Sequence, residues 1–505
     1  MKTRPWLSLS AALLMTVAPA YAGAASSSPG TGRVSGNSPY AACAAADPND
    51  TLFPNAEVEP DVSSNPARPG NLVAVWQQDR WAGGGAHGLM AGYSFDGGKT
   101  WANTTLPFSK CAPNGLNFTR ASDPAVSIGP DGTAYAIGLS FNPPETNSAI
   151  TSAVSTNGGR TWQRVRVIAT DDPGLVDKEW ITADPTQAGT AYAVWDDLNV
   201  TPDGHFTSPA FFSKTRDDGR TWSKPKPIAA SGPDEQAIGN QIMVDRRTGR
   251  LYDTYQFNFC TCPSIPKIAY VYSDDGGSTW SRQRVISDSL GVGVTQPGTQ
   301  FPVRSGGLPF AAIARSGQLY VIWQDSRFSG GSYDEIAIAT TTDRGAHWTT
   351  PRRANKPTGR AAFTPSIAVT RSGRAGITYY DLRADTLSDN MFSASYWATT
   401  TKDARHFVGD EPLTPAFDLL AAPNAGGLFV GDYQGLTAVR NHFVSVFVKT
   451  NCAGFACADN STDVYSARFG ARPGSSRTAV LRAAAAAPSP QAAEPQRSAQ
   501  PLLRH

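Results

Sequence analysis

The sequence predicts an all-β protein built from repeated four-stranded units. Three observations carry this reading. One short hairpin phrase returns six times, at intervals of about sixty residues, and self-similarity at a fixed period points to a repeat architecture. Seven short apolar segments, rich in β-branched and aromatic residues, read as buried strands. Helical periodicity is not evident after residue 22.

The phrase reads Ser94-Phe-Asp96-Gly-Gly98-Lys-Thr100-Trp101 at its first appearance. It returns with Asn157 and Trp162, Asp217 and Trp222, Asp275 and Trp280, and Asp343 and Trp348; a sixth copy around Thr401, Asp403 and Phe407 is one residue short and lacks the Gly. The Asp or Asn can accept hydrogen bonds from backbone amides of a turn. Gly supplies the positive φ of a bulged hairpin. The Trp starts the next strand and is expected to be largely buried between units. The phrase resembles the Asp box of the sialidase-like β-propeller superfamily, over roughly residues 55 to 470. That resemblance implies a single β-propeller of four-stranded blades, an architecture that serves many activities.

The units can be counted by their second strands. These are Leu72–Trp76, Ala134–Gly138, Ala191–Trp195, Leu251–Tyr255, Leu319–Trp323, Ala375–Tyr379 and Phe443–Phe447. The count predicts seven blades, with six blades plus an extra hairpin as the alternative; sialidases have six. The last unit, from Asp432 to Phe469, lacks a fourth strand. Gly32–Gly36, or the residues just after it, would supply it and close the ring.

Residues 1–22 read as a signal peptide: Lys2 and Arg4, an apolar run from Trp6 to Pro19, and Ala20-Tyr21-Ala22 before Gly23. An uncleaved anchor is the other reading of this segment, although the run is short for a membrane span. Residues 23–50 form a flexible lead with the closing strand, 51–470 the propeller, and 471–505 an Ala/Pro-rich disordered tail. The chain is expected to be secreted, extracellular or periplasmic, and monomeric. A net charge of +2 on 505 residues, with no basic run beyond a few Arg in the tail, speaks against nucleic-acid binding. The six Cys all follow the signal. Cys452 and Cys457 bracket one loop and are expected to pair, and Cys43 could pair with Cys111. Cys260-Thr-Cys262 reads as a tight ring or a reactive or metal-binding pair; no cofactor or metal is otherwise called for.

Strand alternation puts the Asp boxes and the turns between first and second strands on one face. Those turns offer little chemistry: Pro130-Asp-Gly132, Arg246-Arg-Thr-Gly249, Arg315-Ser-Gly317 and Arg371-Ser-Gly373. The opposite face collects Gln78-Asp79-Arg80-Trp81, Asp196-Asp197, Asp325-Ser-Arg327 and Asp381-Leu-Arg383. It also collects the segments running into the first strands, which carry Glu57, Glu59, Arg120, Asp123, Asp177, Lys178, Glu179, Trp180, Asn240, Gln241, Asp432 and Tyr433. Acids, guanidiniums and aromatics around one mouth suit an extracellular glycan or polysaccharide. Asp followed closely by Arg recurs at Asp79/Arg80, Asp325/Arg327 and Asp381/Arg383, which suggests ion pairs that pin loops. Residues that break the repeat, Arg120, Asp123, Asp177, Lys178, Glu179, Arg304 and Tyr433, are the better site candidates.

The resemblance to sialidases implies a Tyr nucleophile activated by a Glu, an Asp acid/base and three arginines on the substrate carboxylate. Carried onto this chain, it implies Tyr433, Glu179 and Asp123 as catalytic residues. Arg120, Arg304 and Arg383 would be the clamp, with Arg327, Asp177, Lys178, Trp180 and Asp432 also at the substrate. The Phe/Tyr-Arg-Ile-Pro motif that opens the sialidase first blade is absent; Phe301-Pro-Val-Arg304 has similar letters but follows the fourth Asp box. Another polysaccharide hydrolase or lyase, or a non-catalytic propeller binding glycan or protein, fits the same mouth.

Overall fold

The computed structural model describes residues 31–470, apart from 44–46, 48, 144–146, 172–173, 202, 260–263, 300, 387 and 455–458. The segment read as a signal peptide, the Ala/Pro-rich end of the chain, Cys260, Cys262 and Cys457 lie outside the described residues. The described chain is almost wholly β, and no helix in it is long and apolar enough to cross a membrane.

Its strands form antiparallel groups of four in chain order. Sheet 1 starts at Leu52–Ser64, sheet 2 at Arg120–Ile128, sheet 3 at Leu175–Ala183, sheet 4 at Glu235–Val244, sheet 5 at Phe310–Ile313, sheet 6 at Ala362–Val369 and sheet 7 at Gly435–Val439. Sheets 1 and 2 are also joined by the single pair Ala86/Ala121. Each of these first strands touches the first strand of the next sheet, and that of sheet 7 touches that of sheet 1. Sheet 7 takes its fourth strand from the other end of the chain: Gly32–Arg33 pairs antiparallel with Thr462–Phe469, Gly32 opposite Ser466. A disulfide joins Cys43 to Cys111 across 68 residues. Cys452 is also disulfide-bonded.

The Asp-box turns are held by the bonds their sequence offers. Asp96 Oδ1 accepts from the amides of Lys99 and Thr100, and Ser94 Oγ accepts from Gly98 N at 2.8 Å. Asp217, Asp275 and Asp343 repeat the pattern. These bonds hold Asp217 down to about 2, the Thr221 hydroxyl contributing most. The sixth copy keeps the bonds without the Gly, since Ala404 takes the left-handed φ of 55°.

Trp101, Trp162, Trp222, Trp280 and Trp348 are half-buried, less than the large burial expected of them. Each lies on the rim and packs against the preceding sheet. Trp280 meets Phe212 edge-on at 5.2 Å, and Trp348 lies 5.8 Å from Tyr270. Trp101 of sheet 1 donates to Ser466 Oγ of sheet 7. Trp162→Ala is therefore expected to cost roughly 2 kcal/mol, less than a core Trp would. Urea unfolding would measure it; an unchanged midpoint would show that the ring holds nothing between sheets.

Two connections depart from the repeat. Val294–Thr295, Pro302–Arg304 and Leu428–Phe429 form a separate three-stranded sheet, with Val303 parallel to Leu428. This small sheet lies over the ends of the first strands: Arg304 bonds Asp432, and Gly431 sits against Glu59.

Candidate functional site

The site begins with a repeated irregularity. The first strands of sheets 1, 2, 3, 4 and 6 each slip register, between Val58 and Asp61, Ser122 and Ala125, Asp177 and Trp180, Ile238 and Gln241, and Phe363 and Ser366. Glu59, Asp123, Lys178, Gly239 and Thr364 sit at the bulges with positive φ. A bulge re-aims a side chain out of the strand's alternation. Pro60, Pro124 and Pro365 follow three of them, where the ladder requires no N–H. Three bulges carry charge, and those charges meet.

Lys178 Nζ lies 2.5 Å from Asp123 Oδ2, 3.2 Å from Asp432 Oδ2 and 3.9 Å from Asp177 Oδ1. Arg304 Nη2 reaches Asp432 Oδ2 at 3.0 Å. Gln77 bridges Glu59 and Ser122, and Arg80 donates to Gln77 Oε1 at 2.8 Å. The guanidiniums of Arg80 and Arg304 both lie over the Phe429 ring. Glu59, Asp123, Lys178 and Asp432 are buried. The segments expected to ring an open mouth thus converge on an ion cluster packed beneath the three-stranded sheet.

Burial and charge push the carboxyls apart. Burial alone would raise Asp123, but the Lys178 ammonium and its hydrogen bonds hold it well below the usual range. Lys178 and Arg304 do the same for Asp432. Glu179, on the bulge beside Lys178, is pushed well up by burial and then by the Asp123 charge. Neither of its carboxyl oxygens has a hydrogen-bond partner among the described residues. Glu179, Asp123, Lys178, Trp180, Asn240 and Tyr433 line one narrow cavity of ≈20 Å3, about the room of one water. Trp180 stands edge-on to Tyr433 and Phe310 in its wall. Glu59, which the sequence reading placed at the mouth but not among the better site candidates, is pushed up to about 8 by burial and by Asp123.

Glu59 gives the cluster a pH dependence. Its folded value lies above the ordinary 4.5, so its contribution to stability is complete below about 4.5 and is lost as pH rises to about 8. Unfolding free energy should fall over that window. Denaturant titrations of Glu59→Gln should show a smaller fall; an identical pH profile would remove Glu59 as its source.

Other candidates are placed elsewhere. Tyr433 is buried, its hydroxyl donates to the Pro124 carbonyl at 3.0 Å, and burial raises its pKa well above normal. A hydroxyl so engaged stands in the wall of the cavity and is not free at an open mouth, where the expected nucleophile would stand. Arg120 pairs with Asp47 and Asp50 and covers Trp81. Arg327 pairs with Asp325, and Arg383 with Asp381 and Asp410. Of the four arginines, Arg304 alone joins the cluster, so the expected carboxylate clamp is not assembled. Asp325/Arg327 and Asp381/Arg383 are loop-pinning pairs, whereas Asp79 bonds Ser38, Asn55 and His87 and leaves Arg80 to the cluster. Among the described residues no group of three or more His, Cys, Asp or Glu is placed to hold a metal ion.

No family model matches the chain. Among curated proteins, a sialidase of Bacteroides fragilis (strain YCH46) is 26% identical over 230 residues, covering 40% of this chain and 37% of that protein. Solved structures with similar chain traces include a Hadza microbial sialidase, 16% identical, with a TM-score of 0.43 over 65% of this chain and 64% of its own. Another is the α-L-arabinofuranosidase of Fusarium graminearum, 15% identical, with a TM-score of 0.43 over 65% and 92%. In its repeated Asp-box turn and in this sequence match, the chain is similar to the sialidase-like Asp-box superfamily.

Proposed function

We propose that the seven sheets are the blades of one β-propeller spanning residues 51–470, and that this exported, monomeric protein hydrolyses an acidic extracellular glycan. The closed succession of first strands and the shared seventh sheet support the ring. The Cys43–Cys111 disulfide and the signal-like residues 1–22 support export. The match to a sialidase supports a glycosidase.

One observation carries the reaction. Glu179 and Asp123 face one cavity with their protonation preferences driven apart, which assigns an acid and a base. Glu179 holds the proton that a glycosidic oxygen needs as it leaves. Asp123, kept ionised by Lys178, supplies negative charge to the oxocarbenium-like centre or takes a proton from the attacking water. Trp180 offers an aromatic face to a sugar ring.

The test is release of reducing ends by the purified protein from sialosides, uronate-containing polysaccharides and neutral oligosaccharides. Turnover confined to acidic substrates is the expected result. If none is turned over, the enzyme reading fails and a non-catalytic glycan-binding propeller replaces it. The three-stranded sheet over the cluster favours that second reading, because it covers the charges from one side.

A further inference from the structure

The turns between first and second strands of four consecutive sheets each present an arginine: Arg246, Arg315, Arg371 and Arg440. All four are exposed, and all four line one solvent-open concavity of ≈670 Å3. No carboxylate lines it. Among the described residues none of the four has an ion pair or a side-chain hydrogen bond, whereas nearby Arg250 is paired with Asp274 and Arg247 donates to the Ser316 carbonyl. The charges feel one another: after partial burial, Arg246 and Arg371 are what lower the Arg315 pKa. Like charges gathered without counter-charge in a concavity raise the local concentration of anions.

The collar leads inward. Pro185, Val244 and Ile313 belong both to its wall and to that of a deeper cavity of ≈240 Å3, which is lined by Trp180, Phe310, Gln241 and Gln434 and by one carboxyl, that of the buried Asp61, which accepts a hydrogen bond from Val126 N. Positive charge at the mouth and aromatic and amide groups behind it suit a sugar chain bearing anionic groups.

We infer that this arginine collar, on the Asp-box face, is a binding site for the end of an acidic oligosaccharide, with carboxylate or sulfate groups on the guanidiniums. The collar itself shares no lining residue with the Glu179 cavity, although the deeper cavity behind it shares Trp180, Gln241 and Phe310 with that cavity; the proposal does not rest on turnover there, since the readout below is binding alone.

The test is calorimetric titration of the full chain with five probes: a sulfated tetrasaccharide, a tetragalacturonate, a neutral tetrasaccharide, inorganic sulfate and a single-stranded oligonucleotide of equal charge. Binding by one or both acidic sugars is expected, and which one binds identifies the anionic group. Neutral sugar, sulfate and oligonucleotide should bind at least about tenfold more weakly. Arg315→Ala/Arg371→Ala should weaken acidic-sugar binding by at least about tenfold while leaving the melting temperature unchanged. If the double variant does not fold, Arg371→Gln takes its place, with a drop of about threefold expected. Unchanged affinity in the folded variant, no binding of either acidic sugar, or oligonucleotide binding as tight as sugar would each overturn the proposal.

Discussion

Lys178→Met is expected to cost the protein about 3–5 kcal/mol of stability, the usual penalty for removing one partner of a buried ion group. Among the described residues Lys178 is the one ammonium that touches Asp123 and Asp432 together, with Asp177 at 3.9 Å. It is buried, and both contacted carboxylates are held ionised largely by its charge. Without it, Arg304 remains for Asp432, but Asp123 keeps only hydrogen bonds from Ser122, Gln77 and Glu59. Asp123 would then take up a proton, and the fold would lose the difference. Denaturant unfolding reads the effect. Pairing Lys178→Met with Asp123→Asn should recover part of the loss; equal losses in the single and double variants would show that the ammonium is not there for Asp123.

Glu179→Gln should lower turnover of an acidic glycan by about 10²–10⁴-fold, the range for loss of a general acid. The amide has the same shape but no acidic proton to transfer. Because the Glu179 carboxyl makes no hydrogen bond among the described residues, the exchange should leave the fold intact. The wild-type rate should decline at high pH as Glu179 deprotonates, and that limb should vanish in the variant. A Glu179→Gln enzyme with wild-type turnover would remove Glu179 from the chemistry.

The readable parts of this molecule were those whose bonds close within a few residues. Ser94, Asp96 and Thr100 satisfy one another inside a single turn, so the phrase announces its own structure. The second strands were legible because each is a short run buried on both faces. Which arginine serves which acid was not legible, because the choice is made across long stretches of chain. Arg120 looked free to bind a ligand until Asp47 and Asp50 came round beside it. The small sheet joins Val303 to Leu428, and strands of two or three residues leave no periodicity to read. One signal was present and missed. Glu59-Pro60, Asp123-Pro124 and Thr364-Pro365 recur at equivalent places, and an acid before Pro inside a strand marks a bulge that turns the acid inward. Read that way, Glu59 would have joined Asp123 as a candidate.

The pairing of Gly32–Arg33 with Thr462–Phe469 sets an order of assembly. Its two partners lie 434 residues apart at Gly32 and Ser466, so this contact waits for nearly the whole chain to emerge from the ribosome. Closing so long a loop adds little entropy beyond a shorter one, because the cost grows only with the logarithm of length. It does make the last step slow and the unjoined edges vulnerable to neighbouring chains. The Cys43–Cys111 bridge bears on that interval. Cys111 follows the last strand of sheet 1, so oxidation moors the early strand beside the first unit long before its partner arrives. The N-terminal segment then travels with sheet 1 as a latch awaiting its catch. A chain kept reduced during synthesis should accumulate open, sticky intermediates even though every other sheet can form.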